Sequence, residues 1–158
     1  MSIVPRAGFN PPLLFIYVWL MDDCIFCRII SGALSASVVY RDELVLAFMD
    51  TNPVTSGHVL IVPFTHAPYL PDMPEETGAQ MFRVAMRLQD AIRRSGLRCE
   101  GINLFLADGE AAFQEIFHVH LHVFPRYKDD NFRIDADWST HPSRAELDAV
   151  AAQITSVL

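Results

Sequence analysis

The chain has 158 residues, 51% hydrophobic and 20% charged, a balance that suits one folded domain and excludes a disordered or collagen-like chain. Nineteen Asp and Glu against twelve Lys and Arg give a formal net charge of -7, which argues against the broad basic footprint of a polymeric nucleic-acid binder. Three cysteines are too few for a disulfide scaffold, so the thiols are expected to be free or metal-bound in a reducing, cytoplasmic compartment.

The first segment to interpret is the apolar run from Leu13 to Met21. It is about half the ~20 residues that a membrane span needs, so no membrane contact is expected. Only Arg6 precedes it as a basic residue, and no small-residue cleavage site follows, unlike a signal peptide. Two readings stand: an extension whose apolar part packs on the body or a neighbour, or upstream sequence ahead of a start at Met21. The second is the one expected here.

Ser37 to Tyr40 and Leu44 to Phe48 are short, β-branched or aromatic, and separated by Arg41-Asp42-Glu43, the pattern of a hairpin. Asn52 to Gly57 is turn-rich, and His58 to Val62 predicts a strand stopped by Pro63. A long helix follows, with Asp72 and Glu75 at capping-box spacing. Gly78, Met81, Phe82, Ala85, Leu88 and Ile92 recur at helical steps as its apolar stripe, and Gly96 stands where a left-handed cap is wanted. Gly101 to Leu106 predicts a strand, Ala107 to Glu115 a loop, and Ile116 to Pro125 another strand. Ser143 and Glu146 form a second capping box, ahead of a terminal helix with Leu147, Val150, Ala151 and Ile154 on one stripe. Short-turn strands with one long helical connection predict an α+β fold with an antiparallel sheet.

The most informative segment is Phe117-His118-Val119-His120-Leu121-His122-Val123-Phe124-Pro125-Arg126. Side chains alternate along a strand, so His118, His120 and His122 share one face at about 7 Å intervals, from a rise of roughly 3.3 Å per residue. Three explanations compete. A surface accident fits poorly with strict alternation against an apolar opposite face. A tri-histidine metal site, and with it a metal-dependent hydrolase, is disfavoured because same-face positions on one strand converge poorly on a tetrahedral ion. Nucleophilic and acid–base chemistry on a phosphate fits best, because imidazole keeps a large neutral fraction at neutral pH.

That stretch resembles the signature of the histidine triad (HIT) family, three histidines alternating with apolar residues. The resemblance extends to Cys24-Ile25-Phe26-Cys27-Arg28-Ile29-Ile30-Ser31-Gly32, to Phe48-Met49-Asp50-Thr51-Asn52-Pro53, to Gly57-His58-Val59-Leu60-Ile61-Val62-Pro63, and to Gln114. It spans about residues 22–127. It implies an α+β fold with a five-stranded antiparallel sheet, one long central helix and a C-terminal helix, in a homodimer. The implied organisation is an extension over 1–21, the HIT domain over 22–127, and a tail with a helix over 128–158.

The resemblance also implies roles. His120 would attack the α-phosphorus of a purine nucleotide derivative and form a nucleotidyl-histidine. His122 and Gln114 would contact phosphate oxygens, with further donors from the amides of residues 108–114, and His58 would line the phosphate side; the alternatives are a loop residue bonding backbone for Gln114 and a merely structural role for His58. Asp50 would hold the ribose hydroxyls, though an Asp before Asn52-Pro53 also suits a turn cap. Phe26, Ile29 and Phe48 are candidate walls for the base, or plain core. Asn103 matches a frequent asparagine near the site. Candidate substrates are dinucleoside polyphosphates, nucleoside phosphoramidates and nucleotidyl adducts. The rival outcome is a nucleotide-binding sensor or scaffold with little turnover.

In the zinc-containing branch of the family, residues matching Cys24, Cys27, His66 and His118 complete a structural Zn2+ site, which implies one here; two buried thiols and an unrelated His66 are the alternative. Cys99 has no partner in this scheme. Three departures from the family pattern stand out. Phe113 replaces a frequent Gly, Glu115 a Ser or Thr, and Ala107 an Asn or Gln. A carboxylate at position 115 would repel phosphate unless turned away or protonated.

Overall fold

The computed structural model describes residues 24–158, so the apolar run from Leu13 to Met21 lies outside the described residues. A short helix α1 (Ile25–Ile30) leads into the hairpin β1 (Val38–Arg41) and β2 (Val45–Met49), then β3 (Val59–Pro63). The long helix α2 (Glu75–Arg94) crosses to β4 (Gly101–Leu106); β5 (Leu121–Arg126) and α3 (Arg144–Thr155) follow. The five strands form one sheet in the order β1-β2-β3-β5-β4, with every neighbouring pair antiparallel.

Strands β2 and β3 are apolar at every position because both faces of the sheet are covered there. One face sets Val45, Ala47, Val59, Ile61, Leu121 and Val123 against Met81, Val84, Ala85, Leu88 and Ile92 of α2. The opposite face sets Leu46, Phe48, Leu60 and Val62 against Phe26 and Ile29 of α1. His120, His122 and Phe124 have the parity of this second face.

Four expectations need correction. Helix α2 begins after Pro74 with no side-chain cap, because the Asp72 carboxylate accepts from the Tyr69 amide at 3.2 Å and closes a 3-10 turn instead. Phe82 is not part of the buried stripe; it is 55% exposed, and Val84 fills the stripe in its place. The strand expected from Ile116 begins only at Leu121, because the Val119 amide bonds the Ala67 carbonyl at 2.7 Å rather than continuing the ladder. The stripe of α3, although its helix has the expected Ser143–Glu146 capping box, is exposed among the described residues.

Gly57 places the start of β3. Its φ is +98°, and a Cβ there would lie 2.7 Å from Leu97 Cδ1 and 3.2 Å from Pro125 Cγ, so no side chain fits. Beside it, the Thr55 hydroxyl donates to the Pro125 carbonyl at 2.6 Å, tying the 52–57 turn to β5. His58 thereby enters the sheet next to His122.

Candidate functional site

Two sites share the face covered by α1. The first is a cluster of Cys24, Cys27, His66 and His118, whose ligand atoms all lie within 4.8 Å of one another. Cys24 and Cys27 are three residues apart at the start of α1, so their sulfurs project from one side of the helix. His118 Nδ1 lies 3.4 Å from Cys24 Sγ, 3.6 Å from Cys27 Sγ and 3.3 Å from His66 Nδ1, and Cys27 Sγ lies 3.3 Å from His66 Nδ1. Tetrahedral zinc, with Zn–N of about 2.0–2.1 Å and Zn–S of about 2.3 Å, has ligand-to-ligand edges of about 3.3–3.8 Å. The donor set and its spacing therefore fit a closed Cys2His2 zinc site.

The surroundings of the cluster fit as well. His118 Nε2–H donates to the Pro63 carbonyl at 3.0 Å, which leaves the Nδ1 lone pair aimed at the cluster. Without a cation, burial and the neighbouring Cys24 push the Cys27 thiol up to about 12. Zn2+ would hold it as thiolate. Cys99 stands apart, its thiol donating to the Gly101 carbonyl at 3.2 Å.

The second site is a cavity of about 960 Å3. His120 and His122 line it, as do His58, Asp50, Phe26, Ile29 and Phe48. His120 Nδ1–H donates to the His118 carbonyl at 2.8 Å. Its Nε2 is then the unprotonated nitrogen, the form required of a nucleophile. The Phe26 ring meets the His120 ring edge-on at 5.1 Å between centroids and fixes its plane.

His122 is oriented by a chain of donors. The Val54 amide donates to His58 Nδ1 at 3.1 Å, which leaves the His58 proton on Nε2. That Nε2–H donates to His122 Nδ1 at 2.8 Å, so neutral His122 carries its own proton on Nε2. Asp50 Oδ2 lies 3.5 Å from His58 Nδ1, while Asp50 Oδ1 accepts from the Asn52 amide at 2.8 Å. The carboxylate thus caps the turn and still lines the cavity. The three triad imidazoles do not converge on one point: His118 belongs to the sulfur cluster, and only His120 and His122 reach the cavity.

Two expected site residues lie elsewhere. Gln114 does not line the cavity: its Oε1 accepts from the Gly109 amide at 2.7 Å, and its Nε2 donates to the Pro68 and Ile116 carbonyls at 2.8 and 3.2 Å. It is buried as a brace for the loop. The amides of Gly109, Ala112, Phe113 and Gln114 are likewise bonded within that loop rather than offered as donors. Asn103 also lies outside the lining, and its Oδ1 accepts from Arg126 at 2.7 Å.

Sequence reasoning missed Phe105, Phe124 and Phe132, which also line the cavity. Phe124 was accessible by parity with His120 and His122. Phe105 required the register that sets it opposite His122 across β4 and β5. Phe132 lies in the segment assigned to the tail, held against Phe124 at 5.3 Å while its carbonyl accepts from Arg126 at 2.9 Å.

Burial lowers the pKa of His58, His120 and His122, and it outweighs the opposing pull of Asp50 in each. His122 falls from 6.5 to about 4, through burial first and then its neighbours His120 and His58. The unfolded chain therefore binds more protons between those values. The His122 contribution to stability is full above 6.5 and is lost as pH falls toward about 4. Melting temperatures of wild type and His122→Asn across that window are expected to converge as pH falls, with the wild type losing more.

The HIT domain family model matches residues 31–129, and the chain belongs to this family. An uncharacterized HIT-like protein of Borreliella burgdorferi is 43% identical over 113 residues, covering 71% of this chain and 81% of that protein. A protein of Arabidopsis thaliana named an adenylylsulfatase is 35% identical, over 87% of this chain and 68% of its own. One of Schizosaccharomyces pombe named an adenosine 5'-monophosphoramidase is 29% identical, over 85% and 97%. The crystal structure of a Zn-bound histidine triad family protein from Mycobacterium smegmatis is similar at a TM-score of 0.68 and 42% identity, covering 87% of this chain and 99% of that one.

Proposed function

We propose that the protein is a nucleotide hydrolase or transferase that cleaves purine nucleotide derivatives at the α-phosphate through a covalent intermediate on His120. The observation that carries this is the His120 tautomer, with Nδ1–H held by the His118 carbonyl and Nε2 unprotonated at the cavity. The lone pair of Nε2 attacks phosphorus, a P–N bond forms, and the bond to the leaving group breaks with its electron pair. The imidazole then carries positive charge, which its Nδ1–H shares with the His118 carbonyl. Water attacks in the second step and releases His120 Nε2. Overall, one water supplies oxygen to phosphorus and a proton to the leaving group.

His122 Nε2–H is the donor for a non-bridging phosphate oxygen, with His58 as the positioning residue behind it. Asp50 accepts from the ribose hydroxyls, and Phe26, Ile29 and Phe48 hold the base. The buried aromatic walls and the activities named for the Arabidopsis and Schizosaccharomyces relatives support a nucleotide derivative as substrate. The Cys24, Cys27, His66 and His118 set would hold one structural Zn2+, whose chemistry is to clamp α1 to the segment before β5. The expected homodimer is supported by the open edge of β4 and by Phe82 and Met86, exposed on α2.

The test is direct detection of the intermediate. Protein mixed with adenosine phosphoramidates and diadenosine polyphosphates is denatured in alkali, because phosphoramidate bonds are acid-labile. Mass spectrometry is expected to find one adenylyl group on the peptide carrying His120. An adduct on His58 or His122 would overturn the mechanism.

A further inference from the structure

We propose that Phe113 and Glu115 select the leaving group, favouring an aromatic amine without negative charge over a polyphosphate or sulfate. The proposal rests on the function proposed above and concerns the opposite side of the scissile bond from the nucleotide. Phe113 has φ +68°, a left-handed conformation that an aromatic residue adopts only at a cost. The loop imposes it from both sides. The Phe113 amide donates to the Glu110 carbonyl at 2.9 Å, and the Gln114 amide to the Gly109 carbonyl at 3.1 Å. Gln114, bonded at both ends of its amide, locks the same turn.

A glycine would meet these constraints without strain. The phenylalanine recovers nothing from folding, since its ring lines the cavity while 81% exposed. It is the most exposed aromatic residue of the lining: Phe105 is 40% exposed, Phe26 3% and Phe48 2%. The Phe113 ring is apolar area available to whatever enters the cavity, and an aromatic leaving group would stack on it.

Charge points the same way. Glu115 is exposed and lines the cavity, and no Lys or Arg is among the described residues that line it. A polyphosphate or sulfate leaving group would bring its negative charge to the Glu115 carboxylate, with no Lys or Arg among the described lining residues to receive it. An uncharged amine meets no such repulsion, and an ammonium group on it would pair with Glu115. In the reaction the P–N bond to the amine breaks, water supplies the hydroxyl to phosphorus, and its other proton goes to the amine.

Two adenosine phosphoramidates form the probe pair, one unsubstituted and one bearing an uncharged arylalkylamine. Two ratios are measured: kcat/KM with active protein, and Kd in the His120→Ala background. Phe113→Gly is expected to shift both ratios about fivefold against the arylalkyl compound, and Phe113→Tyr to preserve them. Glu115→Gln is expected to raise kcat/KM for a diadenosine polyphosphate about threefold over the unsubstituted phosphoramidate, less so in added salt.

If the chain turned nothing over while Phe113→Gly still shifted the Kd ratio, the proposed reaction would fail and the selective role of Phe113 would stand. Normal turnover with both ratios unmoved would overturn that role and leave the reaction intact. Phe113→Gly accommodates the observed backbone, so its melting temperature is expected to hold or rise.

Discussion

Replacing His120 by alanine is expected to reduce turnover by several orders of magnitude, the scale on which loss of a catalytic nucleophile is felt. In the proposed mechanism Nε2 of this imidazole forms the bond to phosphorus, and its neighbours offer no substitute for it. His122 offers Nε2–H rather than a lone pair, because His58 donates to its other nitrogen at 2.8 Å. His58 is committed at both nitrogens, to Val54 and to His122. Nucleotide affinity is expected to fall far less, since Asp50, His122 and the Phe26–Phe48 wall remain. Steady-state kinetics and titration calorimetry on the same variant check both halves. Near-normal turnover in His120→Ala would remove the basis of the mechanism.

Protein purified without added metal is expected to carry one zinc per chain by elemental analysis, and Cys24→Ser to be strongly destabilised. The four donors come from the start of α1, the segment after β3 and the segment before β5; the last two are also tied by the Val119 amide on the Ala67 carbonyl, whereas α1 is held to the sheet by the packing of Phe26 and Ile29. Binding of a structural zinc ion is folding free energy, on the order of 10 kcal/mol in small domains, and a three-ligand site keeps only part of it. A loss of about 10 °C or more in melting temperature is expected for Cys24→Ser. Nucleotide affinity should fall by less, because zinc would act on the cavity indirectly, by seating Phe26 of α1 and the His118 carbonyl against His120. A fully stable, zinc-free protein would refute the site.

How far the chain could be interpreted from residues alone depended on the range of the interactions involved. The hairpin of β1 and β2, the strand β4, the left-handed glycine at position 96 and the Ser143–Glu146 cap all arise between near neighbours, and the structure has each of them. Asp72 does not cap α2 because the amides of Tyr69 and Glu75 compete for its carboxylate, and the 3-10 turn takes it. Phe82 lies outside the buried stripe because three- and four-residue spacing defines a stripe without fixing its width; the contact with the sheet decides that.

At the site, the division follows the same physics. Alternation along Phe117 to Arg126 was enough to set His120, His122 and the overlooked Phe124 on one face, because side-chain parity is a property of the extended backbone. What that face meets is set by elements distant in the chain. The Val119 amide turns to Ala67 and separates His118, which goes to the sulfur cluster, from the two histidines at the cavity. Gln114 spends its amide on Pro68, Gly109 and Ile116, a choice available only once those carbonyls and amides are brought together. Phe105 and Phe132 reach the cavity by register and by Arg126. Residue types and short-range spacing therefore sufficed to name the family and to put His120 forward as the candidate nucleophile. The tautomer of each imidazole, the separation of the Cys–His cluster from the cavity and the exposure of Phe113 required the folded chain, because each depends on partners distant in sequence or on the assembled cavity.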